Sequence, residues 1–419
     1  MKKVFAIILA LVMVLSLAAC GGGKKEDENL SEVQQAIKAA EGMTLEQLEE
    51  AAKKELEENP DLIFNADSLT SGVKKALAKF EEKYPWAAGR TAYNSKKGSE
   101  YQPKLEAAQQ ANSYIADFVM IQDASFLKNA MLDTGFLRTY IPSGDGIEIK
   151  DEDRDPLVGV TFNKVFLWDN TKHAADSLKN VWQMTGVDGV ELKGIHNVSY
   201  QNPLNEDINR SFFIMLTGPD ACAKLEKAYK SYFGTDYDGS KDDYTNIGYK
   251  FVAEFIANVG NWHSSDSSEV KAFNPASPEG VSNVVFAGLC KLKDFEYYKS
   301  DYKDSDLYYK KSITGAGWNT EIEGFDGFVY NMWTLIPDTA KLPYTACLFI
   351  RYIHTEEGYK AGWGGVLGYY SPNQLIPSVD GDPAVTEWKE KCIVEDVQYI
   401  DSVYKDAYMF ITQCMDSAK

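Results

Sequence analysis

Two short polar stretches carry side chains suited to holding a small solute. Asp67-Ser68-Leu69-Thr70-Ser71 and Gln122-Asp123-Ala124-Ser125 each follow an apolar run and each lead into a helical pattern. A helix N-terminus offers free N–H groups and the positive end of a dipole. Ser68 and Thr70 could donate to a carboxylate, phosphate or carbonyl. Asp123, with Ser125 beside it, could accept from an amine or bind a metal. The same residue types also serve as plain helix caps, so capping and ligand contact both stay open for these four. Elsewhere, Trp168-Asp169-Asn170 and Trp318-Asn319 pair an indole face, which suits apolar or cationic groups, with an amide that can orient a polar one.

Several other patterns point to chemistry and fall short of it. Adjacent tyrosines occur at Tyr297-Tyr298, Tyr308-Tyr309 and Tyr369-Tyr370, as expected by chance among 25 tyrosines. Asp151, Asp153 and Asp155 begin like a calcium loop, but Pro156 stands where glycine is needed and Phe162 where a glutamate is. The run Asp236 to Asp243 lacks the full ligand ladder and reads as a solvated loop. The histidines, His173, His196, His263 and His354, are scattered, with no paired metal spacing. No G-x-S-x-G, phosphate loop, G-x-G-x-x-G or HExxH is present. The chain therefore reads as a binder with no cofactor and no resident metal, not as an enzyme. The many carboxylates still leave a glycosidase-like pair open, and a surface scaffold or adhesin is a further alternative.

The first residues say where such a binder works. Lys2 and Lys3 precede an apolar run, Val4 to Leu15, followed by Ser16-Leu17-Ala18-Ala19-Cys20. A positive start, a short apolar core and small residues make a secretory signal, and the run is shorter than the ~20 residues a spanning helix needs. Leu17-Ala18-Ala19-Cys20 resembles the bacterial lipobox. That resemblance implies cleavage before Cys20, a lipid on its thiol, and anchorage at the outer face of the cell membrane. The net charge of −19 argues against nucleic acid, which wants basic surface. The five downstream cysteines are odd in number and widely spaced, which favours free thiols over a disulfide framework.

The elements that must position these residues alternate. Residues 61–67 form a strand, then a helix buries Val73, Leu77, Phe80 and Tyr84. A second strand covers 89–93, a helix runs from about Glu100 to Tyr114, and Phe118 to Ile121 is a short apolar run suited to a buried parallel strand. A further helix is expected from Ser125 to Leu132. This is the pattern of an α/β doubly wound unit. Val158 to Asn170 is β-rich, Gly324 to Leu335 is a return strand, and a long C-terminal helix is expected from Ala384 to Met415.

The order of segments resembles that of extracellular solute-binding proteins of ABC importers, in particular the iron(III)- and polyamine-type group. It rests on the helix ending Phe80-Glu81-Glu82-Lys83-Tyr84-Pro85, on Asp117 to Leu127, on Gly135 to Pro142, and on Ile336 to Tyr344 before Phe349 to Gly358. The resemblance implies the periplasmic-binding-protein-like II fold, two doubly wound lobes joined by a two-crossover hinge. Residues 1–19 would be the signal and 20–58 the lipidated tether with an N-terminal helix. Lobe one would hold 59–167 and 326–376, and lobe two 168–325 and 377–419. Ser68, Thr70, Asp123 and Ser125 would then line one wall of the cleft. Trp168, Asn170, Trp318, Glu323 and Tyr330 would approach from the hinge. The implied partners are an ABC permease and a small solute, the protein acting as a monomer. Few arginines weaken a phosphate or dicarboxylate; aromatics and carboxylates fit a sugar, a polyamine or another cation, and a metal chelate less well.

Overall fold

Val158–Asp169 is a twelve-residue strand with every side chain buried, and it runs antiparallel to Gly327–Pro337. Uninterrupted apolar runs of this kind belong to strands covered on both faces, and here the two form the spine of the molecule. The computed structural model describes residues 30–96, 98–170, 172–186, 198–272, 284–294 and 313–418. The leader, Cys20, Tyr297-Tyr298 and Tyr308-Tyr309 lie outside these residues.

The strands are β1 (Phe64–Ser68), β2 (Thr91–Ser95), β3 (Phe118–Ile121), β4 (Leu137–Arg138), β5 (Val158–Asp169) and β6 (Val198–Gln201). They continue as β7 (Val259–His263), β8 (Val284–Ala287), β9 (Ile313–Gly315), β10 (Gly327–Pro337), β11 (Tyr369–Tyr370) and β12 (Ile393–Val394). Among the described residues the main path of the sheet is β2-β1-β3-β10-β5-β8-β6-β7. On one side β2, β1 and β3 are parallel and β3 meets β10 antiparallel. On the other, β7, β6 and β8 are parallel and β8 meets β5 antiparallel. Each lobe is thus a parallel trio finished by one crossover strand, and β5 and β10 each pass between the two lobes.

Helices cover both lobes. In lobe one, Thr70 caps Ser71–Lys83, whose buried face is Val73, Ala76, Leu77 and Phe80. Gly72 lies against the indole of Trp363, which ends the helix Glu356–Trp363, and a methyl group at Gly72 would run into that ring. In lobe two, Asp207–Leu216 is buried along nearly its whole length. Its Phe213 stacks on Tyr200 of β6, centroids 4.8 Å apart, and Tyr200 stacks on Phe286 of β8 at 5.3 Å. Such ring pairs add about 0.5–1.5 kcal/mol each beyond the area they bury.

The stretch before β1 holds two helices. Glu32–Glu41 and Leu45–Glu58 both begin with capping boxes, at Ser31 and Thr44. They bury Val33, Ile37, Leu48, Ala52 and Leu56 in the main core. Glu55 reaches the start of the helix Pro343–Ile353, accepting from the Tyr344 N–H at 3.0 Å, the Thr345 N–H at 2.8 Å and the Thr345 hydroxyl at 2.7 Å. Burial outweighs these donors and pushes its carboxyl up to about 7.

Two expected helices differ. The one from Ser125 is a single wide π-type turn, Leu127–Leu132. The C-terminal helix is broken: after Val385–Lys391, β12 pairs with β10, and Asp396 then caps Val397–Ser417. Ile393 and Val394 are β-branched and find an open strand edge at Phe328 and Val329, which overrides helix continuation. No helix among the described residues is long and apolar enough to cross a membrane.

Candidate functional site

In both parallel trios, several carboxyl ends of strands carry polar loops that open helices. This is where open α/β sheets place their ligands. On lobe one, Ser68 ends β1 fully buried, and its Oγ accepts from the Thr70 N–H at 3.2 Å. The Thr70 hydroxyl accepts in turn from the Gly72 N–H at 3.2 Å. After β3, Asp123 is buried; its Oδ1 accepts from the Ser125 N–H at 2.9 Å and from the Ser125 hydroxyl at 2.6 Å. Its Oδ2 has no hydrogen-bond partner. Burial, reinforced by Asp207 of lobe two, pushes the Asp123 carboxyl up to about 6, while Arg210 and Ser125 pull the other way.

The facing groups of lobe two are charged. Lys164 projects from β5, on the same side as Phe162 by strand alternation. Its Nζ donates to Asn209 Oδ1 at 2.6 Å, Asp266 Oδ1 at 2.7 Å and Gln201 Oε1 at 3.4 Å. Gln201 ends β6, Glu206 and Asn209 lie at the start of Asp207–Leu216, and Asp266 opens the helix after β7. Burial alone would lower the Lys164 ammonium, but Asp266, Glu206 and Glu269 outweigh it and hold it above its ordinary value. Burial pushes the Glu206 carboxyl up, against the pull of Lys164. Glu269 is fully buried and pushed well above the usual carboxylate range by that burial, with Asp266 adding to it.

Between these walls stands an aromatic face. Phe162 stacks on Tyr330 with centroids 5.4 Å apart, and Tyr369 meets Phe162 edge-on at 4.8 Å. Tyr330 feels the carboxylates of Asp266 and Glu206, and Tyr369 feels Asp266 and the Cys290 thiol. Tyr359 and Trp363, stacked at 6.0 Å, continue the aromatic surface toward Gly72 and the Thr70 cap. Phenol and phenyl faces beside carboxylates suit a cation with an apolar body.

Of the residues expected from the sequence, Tyr330 lies beside the Asp266 and Glu206 carboxyls, and Asp123 faces Asp207 and Arg210 of lobe two. Ser68, Thr70 and Ser125 bond within their own turns on lobe one. The other four are placed elsewhere. Trp168 is fully buried in the core with its indole N–H on the Ala174 carbonyl at 3.3 Å. Asn170 follows the far end of β5, beyond Trp168. Trp318 packs on a second core cluster and donates to the Gly381 carbonyl at 2.9 Å. Glu323 is solvent-exposed and accepts from the Asn180 amide at 3.1 Å. Trp168 and Asn170 lie beyond the hinge because β5 continues several residues past its pairing with β10 before the chain turns. Reasoning from the sequence missed Lys164, Gln201, Glu206 and Asp266. One signal was available: Val198 to Gln201 followed by a polar loop and a helix repeats the lobe-one pattern.

A groove of about 1370 Å³ lies along the crossover strands, lined by Lys128, Gly218, Lys224, Trp333, Glu395 and Tyr399 among others. Glu395 Oε2 accepts from the Asn331 N–H at 3.0 Å, Oε1 has no partner, and burial pushes the carboxyl well above its ordinary range. Lys128, Leu132 and Asp133, which follow the β3 loop, line this groove, and Glu395 feels the Asp123 carboxylate. Among the described residues no group of three or more His, Cys, Asp or Glu side chains is arranged to hold a metal.

No family profile and no curated protein matches the sequence. Solved structures do match. The Trichodesmium protein IdiA/FutA, in complex with iron and citrate, aligns over 84% of this chain and 99% of its own at 16% identity and a TM-score of 0.54. MotA of A. tumefaciens, in complex with glucopine, aligns over 84% and 100% at 11% identity and 0.56. An ABC transporter substrate-binding protein of Bradyrhizobium japonicum aligns over 85% and 100% at 12% identity and 0.55. These alignments, each over more than four fifths of this chain, give it the periplasmic-binding-protein-like fold.

Proposed function

We propose that the protein is the solute-binding component of an ABC importer, closing two lobes around a small cationic solute and handing it to a permease. The observation that carries this reading is the cleft's composition: Asp266, Glu206 and Asp123 outnumber the basic groups beside an aromatic face made by Phe162, Tyr330 and Tyr369. The lobes are taken as 59–167 with 326–376, and 168–325 with 377–419. The leader and Cys20 support a lipid anchor at the outer face of the cell membrane, and the protein would work there as a monomer. Two crossover strands permit hinge closure, with each lobe moving as a body.

The test is binding and shape together. Calorimetry against amines, sugars, amino acids and ferric chelates should find its tightest partner among the amines. X-ray scattering with that partner should show a smaller radius of gyration. A neutral sugar as the tightest partner would redirect the solute class, and superimposable scattering profiles would sink the closure. For the anchor, Cys20→Ser should leave the protein unprocessed or shed into the medium; normal retention on the membrane would remove it.

A further inference from the structure

The Lys164 side chain is buried and its ammonium is consumed by lobe two. An ammonium has three N–H groups, and Asn209, Asp266 and Gln201 accept all three. Lys164 therefore has no donor left for a solute. Its charge still counts. Three carboxyls lie around it, Asp266 in contact and Glu206 and Glu269 beyond. Glu269 is fully buried with no hydrogen-bond partner on either carboxyl oxygen, surroundings that favour its uncharged form, and burial pushes the carboxyl well above its ordinary range. Two carboxylates then face one resident cation, and Tyr330, against the aromatic wall, lies within the field of both. The cluster is short of one positive charge.

We propose that Lys164 is a built-in cation that sets the valence of the solute, cancelling one carboxylate so that the cleft takes a monocation in preference to a dication. Without it, Asp266 and Glu206 would both be open, and a second positive charge on the solute would be welcomed instead of opposed. The inference rests on the reading of the cleft as a site for cationic solutes, and it adds which residue decides among them.

The test compares n-butylamine with 1,4-diaminobutane, probes of equal carbon count and different charge, by calorimetry on the full mature chain. Wild type should prefer the monoamine. In Lys164→Met the preference should move toward the diamine by roughly tenfold or more, the scale of one partly buried charge pair. Adding Glu206→Gln to that variant removes one of the two carboxylates left without a cation and should restore the monoamine preference. A lysine that served only to hold the fold would weaken both amines alike, so an unchanged ratio in a folded Lys164→Met overturns the proposal. Should Lys164→Met fail to fold, Glu206→Gln alone is informative. It leaves one carboxylate against one ammonium and should lose both amines, whereas amine binding like wild type overturns the proposal. Wild type that binds neither amine but binds a sugar sinks the cationic reading itself, an outcome distinct from amine binding with an unchanged ratio.

Discussion

The two walls of the cleft are built from the same plan and reach different ends. In each, a parallel strand delivers a polar loop to a helix start. On lobe one the Ser68 and Thr70 side chains accept from the backbone of their own turn. On lobe two the corresponding residues turn toward Lys164, and the polar groups bond across elements more than within them. A loop that satisfies itself shapes a wall; a loop that shares a charge with its neighbours gives that wall an electrostatic preference. Asp123 stands between the two cases, with one oxygen spent on its own turn and the other without a partner.

The sharpest way to break this contrast is Asp266→Ala. It strips the contact carboxylate from a buried ammonium, and breaking a buried pair costs about 3–5 kcal/mol. Urea unfolding should show that loss, and a loss below about 1 kcal/mol would mean that lobe two is no more interdependent than lobe one.

The next effect is on pH. Asp123 and Glu55 sit at about 6 and about 7, above the usual carboxylate range because they are buried. A carboxyl raised in the folded state favours the protonated protein. Its contribution is fully present below the unfolded value, near 4, and is lost as pH rises through 6 for Asp123 and 7 for Glu55. Each is worth at most about 3 kcal/mol on this basis. The melting temperature should therefore be higher at pH 5 than at pH 8, and Asp123→Asn should gain stability at pH 8 and flatten the profile. A flat profile in wild type would show that water reaches these groups. Asp123→Asn also removes a negative charge from the lobe junction, so a cationic solute should bind it more weakly at pH 8 even as the protein melts higher.

The smallest effect sharpens the comparison from the other wall. Ser68→Ala removes one acceptor for a backbone N–H and should cost about 1 kcal/mol of stability. Solute affinity should stay near that of wild type, because the hydroxyl shapes its own turn. A clear loss of affinity in a folded Ser68→Ala would show that lobe one also contacts the solute through its hydroxyls.

Much of the fold was legible. Val73, Leu77 and Phe80 recur at helical spacing, Pro85 closes their helix, and Phe118 to Ile121 is an apolar run between polar bounds. The capping box at Thr44 and Gln47 forms as its residues suggest. The misreadings have local causes. Trp388, Ile400 and Val403 keep helical spacing across residues 392–396, so periodicity joined two helices that a strand edge separates. Trp168 and Trp318 offered conspicuous side chains, but where an indole points depends on how far β5 runs beyond the hinge.

What the sequence determines by itself are features whose causes lie within a few residues: caps, helical faces and apolar strands. The site is of another kind. Lys164, Gln201, Glu206 and Asp266 are separated by dozens of residues, each unremarked in its own stretch, and only the parallel order of β6, β7 and β8 brings their loops around one ammonium. Burial decides the rest. The same carboxyl is pushed up to about 6 at Asp123 and well above the usual carboxylate range at Glu269, because the energy of a charge depends on the water and the partners that the folded chain leaves it.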